Sequence, residues 1–124
     1  IIDGGKSMKV YGIKTCGTYK KAISWFKDNN IEFEALNLRE TSPSKDELAL
    51  YHRLSGLELK KFFNTSGKVY RELDLKNKQK ELSNDQIYQL LSDNPMLIKR
   101  PLVIDGDYVR VGFKESEYIE QFLK

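Results

Sequence analysis

A chain of 124 residues, 40% hydrophobic and 31% charged, has the make-up of one soluble globular domain with a core of its own. Its formal net charge of +3 gives no ground for a direct nucleic-acid or membrane-surface role, and no apolar run nears the ~20 residues a membrane-spanning helix needs. One cysteine and one histidine leave neither a disulfide framework nor the usual Cys/His zinc set, and the lone thiol points to a reducing, cytoplasmic setting with no secretory h-region ahead of it.

Residues 1–7 carry no pattern; Met8 reads as the native start and what precedes it as a leader left by cloning. Lys9 to Ile13 is short and nearly all apolar, as a central strand covered on both faces is. A helix is expected from Gly17 to about Asn29, with Tyr19, Ala22, Ile23 and Phe26 on its inner face and Trp25 beside that stripe. Asp28-Asn29-Asn30 supplies turn formers to end it. Ile31 to Leu38 alternates apolar and polar and reads as a second strand, parallel to the first across a βαβ crossover.

Ser44, with Glu47 three residues on, opens the next helix by a capping box; Leu48, Tyr51 and Leu54 lie along it and Gly56 stops it. The glycine is what a helix C-cap requires in any case. His52 has no acid or second ligand close in sequence and reads as an ordinary helix-surface residue. Leu57 to Phe63 is a short amphipathic helix, Asn64 to Gly67 a turn. Val69 to Leu75 fits strand or helix, and the helix formers around it favour helix. Ser83 and Gln86 cap a helix from Asn84 to Leu91; Asp93-Asn94-Pro95 ends it, and Pro95 can open a further turn through Ile98.

Arg100 to Ile104 is a strand starting at a proline, Asp105-Gly106 a tight hairpin, and Asp107 to Val111 the returning strand. Glu115 or Ser116 caps a last helix whose stripe is Tyr118, Ile119, Phe122 and Leu123. The order β-α-β, helices, β-β-α is an α/β, thioredoxin-like arrangement. In it the loop after the first strand meets the loop before the third, so Cys16 and Arg100-Pro101 become neighbours.

Cys16 falls between strand and helix, where unpaired N–H groups and the positive end of the helix dipole stabilise an anion, and a thiol so placed ionises more readily. Lys14, Lys20 and Lys21 add positive charge nearby. The other reading of Cys16 is a buried, inert thiol packed as a small hydrophobe.

Several stretches together resemble the arsenate reductase (ArsC) and Spx family: Cys16-Gly17-Thr18, Phe63-Asn64-Thr65 with Tyr70-Arg71-Glu72-Leu73, Asn94 through Pro101, and Val111-Gly112-Phe113-Lys114-Glu115. The resemblance spans residues 8–124 and implies one domain, with a thioredoxin-like core at 8–40 and 99–124 and a helical insertion at 41–98. It further implies a monothiol oxidoreductase. Cys16 attacks arsenic, Arg100 holds negative charge, and glutathione, acting as co-substrate rather than bound cofactor, displaces arsenite; glutaredoxin or thioredoxin is the electron donor. Pro101 is expected to be cis, its backbone open to a bound thiol peptide.

Where the family's reductases place further arginines around the oxyanion, this chain has Asn64 and Lys114; Lys14 is a weaker candidate for the same site. Lysine keeps charge but loses arginine's planar fork, and asparagine loses charge altogether. The family's Spx members imply an alternative, a transcriptional regulator binding the C-terminal domain of the RNA polymerase α subunit. Their Cys-x-x-Cys switch has Tyr19 at its second position here, which excludes a local disulfide; Tyr19 reads as core packing. No metal is implied.

Overall fold

The computed structural model describes residues 8–124; the leader read at 1–7 lies outside the described residues. Strand β1 (Met8–Gly12) is central because both of its faces are apolar. It pairs in parallel with β2 (Glu34–Asn37) and antiparallel with β3 (Leu102–Asp105), and β3 carries β4 (Tyr108–Val111), giving the order β2-β1-β3-β4.

Side chains alternate between the faces of a strand, so the sheet sorts its own residues into two cores. Val10 and Val103 point to one face, where α1 (Gly17–Asp28) and α6 (Glu115–Phe122) lie with Phe26 and Tyr118. The two rings stack at 5.1 Å, Trp25 meets Tyr118 edge-on at 5.4 Å, and the Tyr118 hydroxyl donates to the Gly112 carbonyl at 3.0 Å. Tyr11, Leu102 and Ile104 point to the other face, which the insertion covers. Its helices are α2 (Lys45–Ser55), α3 (Lys68–Glu72), α4 (Leu75–Lys78) and α5 (Asn84–Asp93), with 3-10 turns at Leu59–Phe62, Gln79–Glu81 and Pro95–Leu97.

Both capping boxes form: Ser44 with Glu47 on α2, Ser83 with Gln86 on α5. Gly56 closes α2 at φ 68°, a left-handed conformation open to glycine without penalty. The 69–75 stretch is helical, as its flanking residues favour.

Four details differ from the sequence reading. On α1, Trp25 is buried and Ile23 only half so, because α6 covers the Trp25 side and Glu115 accepts from its Nε1 at 3.2 Å. The alternating run 31–38 gives only a four-residue strand, since β1 offers it Lys9 to Gly12 and no more, and the Ile31 N–H goes instead to the Phe26 carbonyl. Asp105 pairs with Tyr108, so the hairpin loop is Gly106-Asp107; Gly106, at φ 61°, takes the first loop position, the glycine site of a type II′ turn. The last helix has Lys114 at its N-cap, and Leu123 falls beyond its end, 49% exposed. Among the described residues no helix is long and apolar enough to cross a membrane.

Candidate functional site

The β1–β3 register sets Tyr11 against Leu102, so the loop leaving β1 and the loop entering β3 emerge at the same end of the sheet. Cys16 is in the first loop and Arg100-Pro101 in the second. The Arg100–Pro101 peptide is cis, and the Pro101 carbonyl accepts from the Gly112 N–H at 2.9 Å, which ties the end of β4 to the same place.

Cys16 is the N-cap of α1. Its carbonyl accepts the Lys20 N–H at 3.0 Å, while its side chain makes no capping bond. The thiol is free and half-buried at the junction of the two cores. Among the described residues the N–H groups of Gly17, Thr18 and Tyr19 have no backbone or side-chain acceptor, so the first turn of the 12-residue helix that Cys16 caps begins with unpaired donors.

Arg100 is half-buried and held from behind: Nη1 donates to the Met96 carbonyl at 2.9 Å and the Ile98 carbonyl at 3.3 Å. Among the described residues Nη2 and Nε donate to no protein acceptor, which leaves the other edge of the guanidinium for an anion. Asn64 is turned the same way, its Nδ2 3.5 Å from the Met96 carbonyl and its Oδ1 accepting from Ser66. The strand-like contact of Phe63 with Ile98, and the Asn64 N–H bond to the Leu97 carbonyl at 2.6 Å, dock the insertion against the segment that carries Arg100.

The lysine candidates separate. Lys114 lines a groove of about 600 Å³ that runs from Thr18 past Phe63, Lys99 and Gly112. Lys14 lines a different groove, of about 850 Å³, between α1 and β2 with Tyr19, Lys20 and Phe33. Asn64 lines neither, although its neighbours Phe63 and Thr65 face the first. Sequence reading missed Lys60, Lys61, Lys99 and Arg110, which join Lys114 in that groove. Lys60-Lys61, Lys99 and Arg110 come from three separate stretches, and no longer basic run marks them. His52 is accounted for structurally: its Nδ1 meets the Tyr88 hydroxyl at 2.7 Å and links α2 to α5. No cluster of His, Cys, Asp and Glu among the described residues could hold a metal ion.

A half-buried thiol at a helix N-terminus, facing a cis-proline loop across the end of a four-stranded sheet, defines a protein of the thioredoxin-like class. The chain belongs to the ArsC family, whose model matches residues 11–121. It is 47% identical to the protein YusI of Bacillus subtilis over 94% of this chain and 98% of that one. It is 28% identical to the global transcriptional regulator Spx 2 of Bacillus anthracis, over 92% of this chain and 85% of the regulator. Among solved structures it is similar to the arsenate reductase from Vibrio cholerae, with a TM-score of 0.80 and 26% identity over 94% of this chain and 98% of that one.

Proposed function

We propose that the protein is a monothiol reductase of the arsenate reductase type, with Cys16 as nucleophile. The observation that carries this reading is the Cys16 side chain: free, half-buried, and set against unpaired N–H groups at the start of α1. The positive end of the helix dipole and the unpaired donors there favour an anion, such as the oxyanion of a substrate attacked by Cys16. Likeness to the Vibrio cholerae enzyme supports arsenate as the substrate.

In the first step the Cys16 thiolate attacks arsenic(V) and hydroxide leaves as water. Arg100, oriented by the Met96 and Ile98 carbonyls, holds the charge on the oxyanion together with the α1 N–H groups. A second thiol is required, because the chain has one cysteine. Glutathione supplies it. The two thiols form a mixed disulfide at Cys16, giving up two electrons, and arsenic leaves as arsenite with both electrons. A further thiol, from glutathione or a glutaredoxin, then attacks the mixed disulfide and restores Cys16.

The test is arsenate-dependent NADPH oxidation coupled through glutathione and glutaredoxin, and separately through thioredoxin. The reading expects turnover with one donor that is lost in Cys16→Ser; equal rates in the two proteins would refute it. The likeness to Spx 2 favours a second reading, an adaptor for the C-terminal domain of the RNA polymerase α subunit. Retention of the chain on that immobilised domain at physiological salt would support it, with Tyr19 excluding the two-cysteine switch.

A further inference from the structure

β2 is an edge strand, and its register shows which backbone groups the sheet leaves over. The Leu38 N–H donates to the Gly12 carbonyl at 3.0 Å, with Gly12 set opposite Asn37. Successive residues of a strand turn their N–H and C=O to opposite sides, so Leu36 and Glu34 also bond toward β1 and Ala35 turns both groups outward. The Asn37 carbonyl already accepts from the Glu40 and Thr41 N–H groups at 2.9 and 2.8 Å, which closes the edge just beyond. Val10 stands opposite Ala35, so the Ala35 side chain shares the α1 face and Glu34 is turned to the other. Ala35 is exposed, and the groove of about 850 Å³ between its strand and α1 is floored by Ile23, Ile31 and Phe33, each only half-buried. Lys14, Lys20 and Lys27 also line it; they are exposed and, among the described residues, have no carboxylate within ion-pair distance. Glu34 is likewise exposed and without a cation at that distance.

We propose that the β2 edge and this groove take up an extended segment of a partner protein as a further strand, one whose α1-facing side chains run acidic, apolar, acidic. The inference goes beyond the reductase reading and uses none of the thiol chemistry. Free N–H and C=O groups at a sheet edge pair with an added strand: main-chain bonds give affinity and alternate side chains give specificity. The residue paired with Ala35 sends its side chain over the apolar floor, where the small Ala35 leaves room. The residues two before and two after it share that face and lie about 13 Å apart. Lys20 and Lys27, seven positions apart on α1, lie about 10 Å apart along the helix axis, a span that flexible lysine side chains match to two carboxylates. The intervening residues face the other way, where a cation meets Glu34. A second copy of this chain fits less well, because two-fold pairing of the edges would bring the lysine rows of two α1 helices onto one shared face.

The test titrates the ¹⁵N-labelled protein with the capped peptide acetyl-Thr-Glu-Lys-Val-Lys-Glu-Thr-amide. Two controls accompany it: the same peptide with both glutamates replaced by glutamine, and a version N-methylated at the valine, which cannot donate to the Ala35 carbonyl. The proposal expects saturable amide shifts at Ile23, Ser24 and Ala35, and slower hydrogen exchange of the Ala35 N–H, which gains an acceptor. Affinity should fall about fivefold or more for each control peptide, and by a comparable factor for the protein carrying Lys20→Met and Lys27→Met together. No saturable shift, equal affinity for the glutamine peptide, or shifts without slower exchange at Ala35 would overturn it. Dimerisation that protects the Ala35 N–H in the absence of peptide would also overturn it, assigning the edge to a second copy. The readout needs neither arsenate nor turnover, so the reductase reading and this proposal stand or fall separately.

Discussion

The Tyr19 ring lies directly over the α-carbon of Gly12: a Cβ on Gly12 would overlap Cδ1 and Cε1 of the ring and stand 2.7 Å from Cγ. The last residue of β1 and the third residue of α1 are thus locked across the loop that carries Cys16. Tyr19 is 9% exposed, and burial pushes its phenol pKa upward, as befits a packed ring rather than a proton-transfer group.

Gly12→Ala is therefore expected to destabilise the protein by about 2–3 kcal/mol, the upper range for overpacking, because the obstacle is a buried ring and not a flexible chain end. Tyr19→Ala costs a similar amount through the cavity it leaves. The double variant should cost clearly less than the sum, since removing the ring makes room for the methyl. Urea denaturation of all four proteins measures the cycle, and strict additivity would show that the two do not interact.

Arg100 and Asn64 converge on one acceptor, the Met96 carbonyl, at 2.9 and 3.5 Å. Arg100→Ala removes two charge-assisted bonds and should cost about 1.5–3 kcal/mol, Asn64→Ala under about 1 kcal/mol. The pair should couple, because either donor alone satisfies the carbonyl. Arg100→Lys should lower kcat/KM for arsenate about tenfold or more through loss of the planar fork, a readout that a purely structural arginine would not give.

Burial pushes the phenols of Tyr11 and Tyr118 well above their usual 10.0; the Tyr51 and Glu47 charges add to the first and the Tyr108 and Glu117 charges to the second. The folded state therefore disfavours their ionisation. In the unfolded chain these tyrosines lose protons near pH 10, so the unfolded state binds fewer protons above that point and gains relative stability. Stability should be intact below pH 10 and fall above it, by up to about 1.4 kcal/mol per pH unit for each such tyrosine. Urea midpoints between pH 8 and about 11 test this, and Tyr11→Phe should flatten the decline.

Among the described residues the Tyr108 hydroxyl is buried without a hydrogen-bond partner, while its ring packs edge-on against Phe122 at 5.4 Å. Tyr108→Phe keeps the packing and removes the unsatisfied group. It should raise stability by about 1 kcal/mol, seen as a higher melting temperature.

What the sequence discloses here is what local physics decides. The apolar run at Lys9–Ile13, the two serine capping boxes and the strand-to-helix position of Cys16 each depend on residues within a few positions of one another, and each is present in the structure. Which faces are covered is not local. Trp25 displaces Ile23 as a buried residue because α6, about 90 residues later, brings Glu115 and Tyr118 to it. Arg100 is visible as a cation before a proline, but its two carbonyl partners appear only once the Pro95–Leu97 turn is placed. The cationic groove is the extreme case. Lys60, Lys99, Arg110 and Lys114 lie on separate stretches, and only the sheet order and the docking of the insertion gather them.

In the proposed reaction Cys16 and an external thiol together supply the two electrons. Intact-mass measurement after an acid quench, with one equivalent of glutathione per chain, no glutaredoxin and arsenate present or omitted, reads this division of electrons. One glutathione adduct per chain is expected, mapped to the Cys16 peptide and formed only with arsenate. An unmodified protein, or an adduct that accrues at the same rate without arsenate, would contradict it.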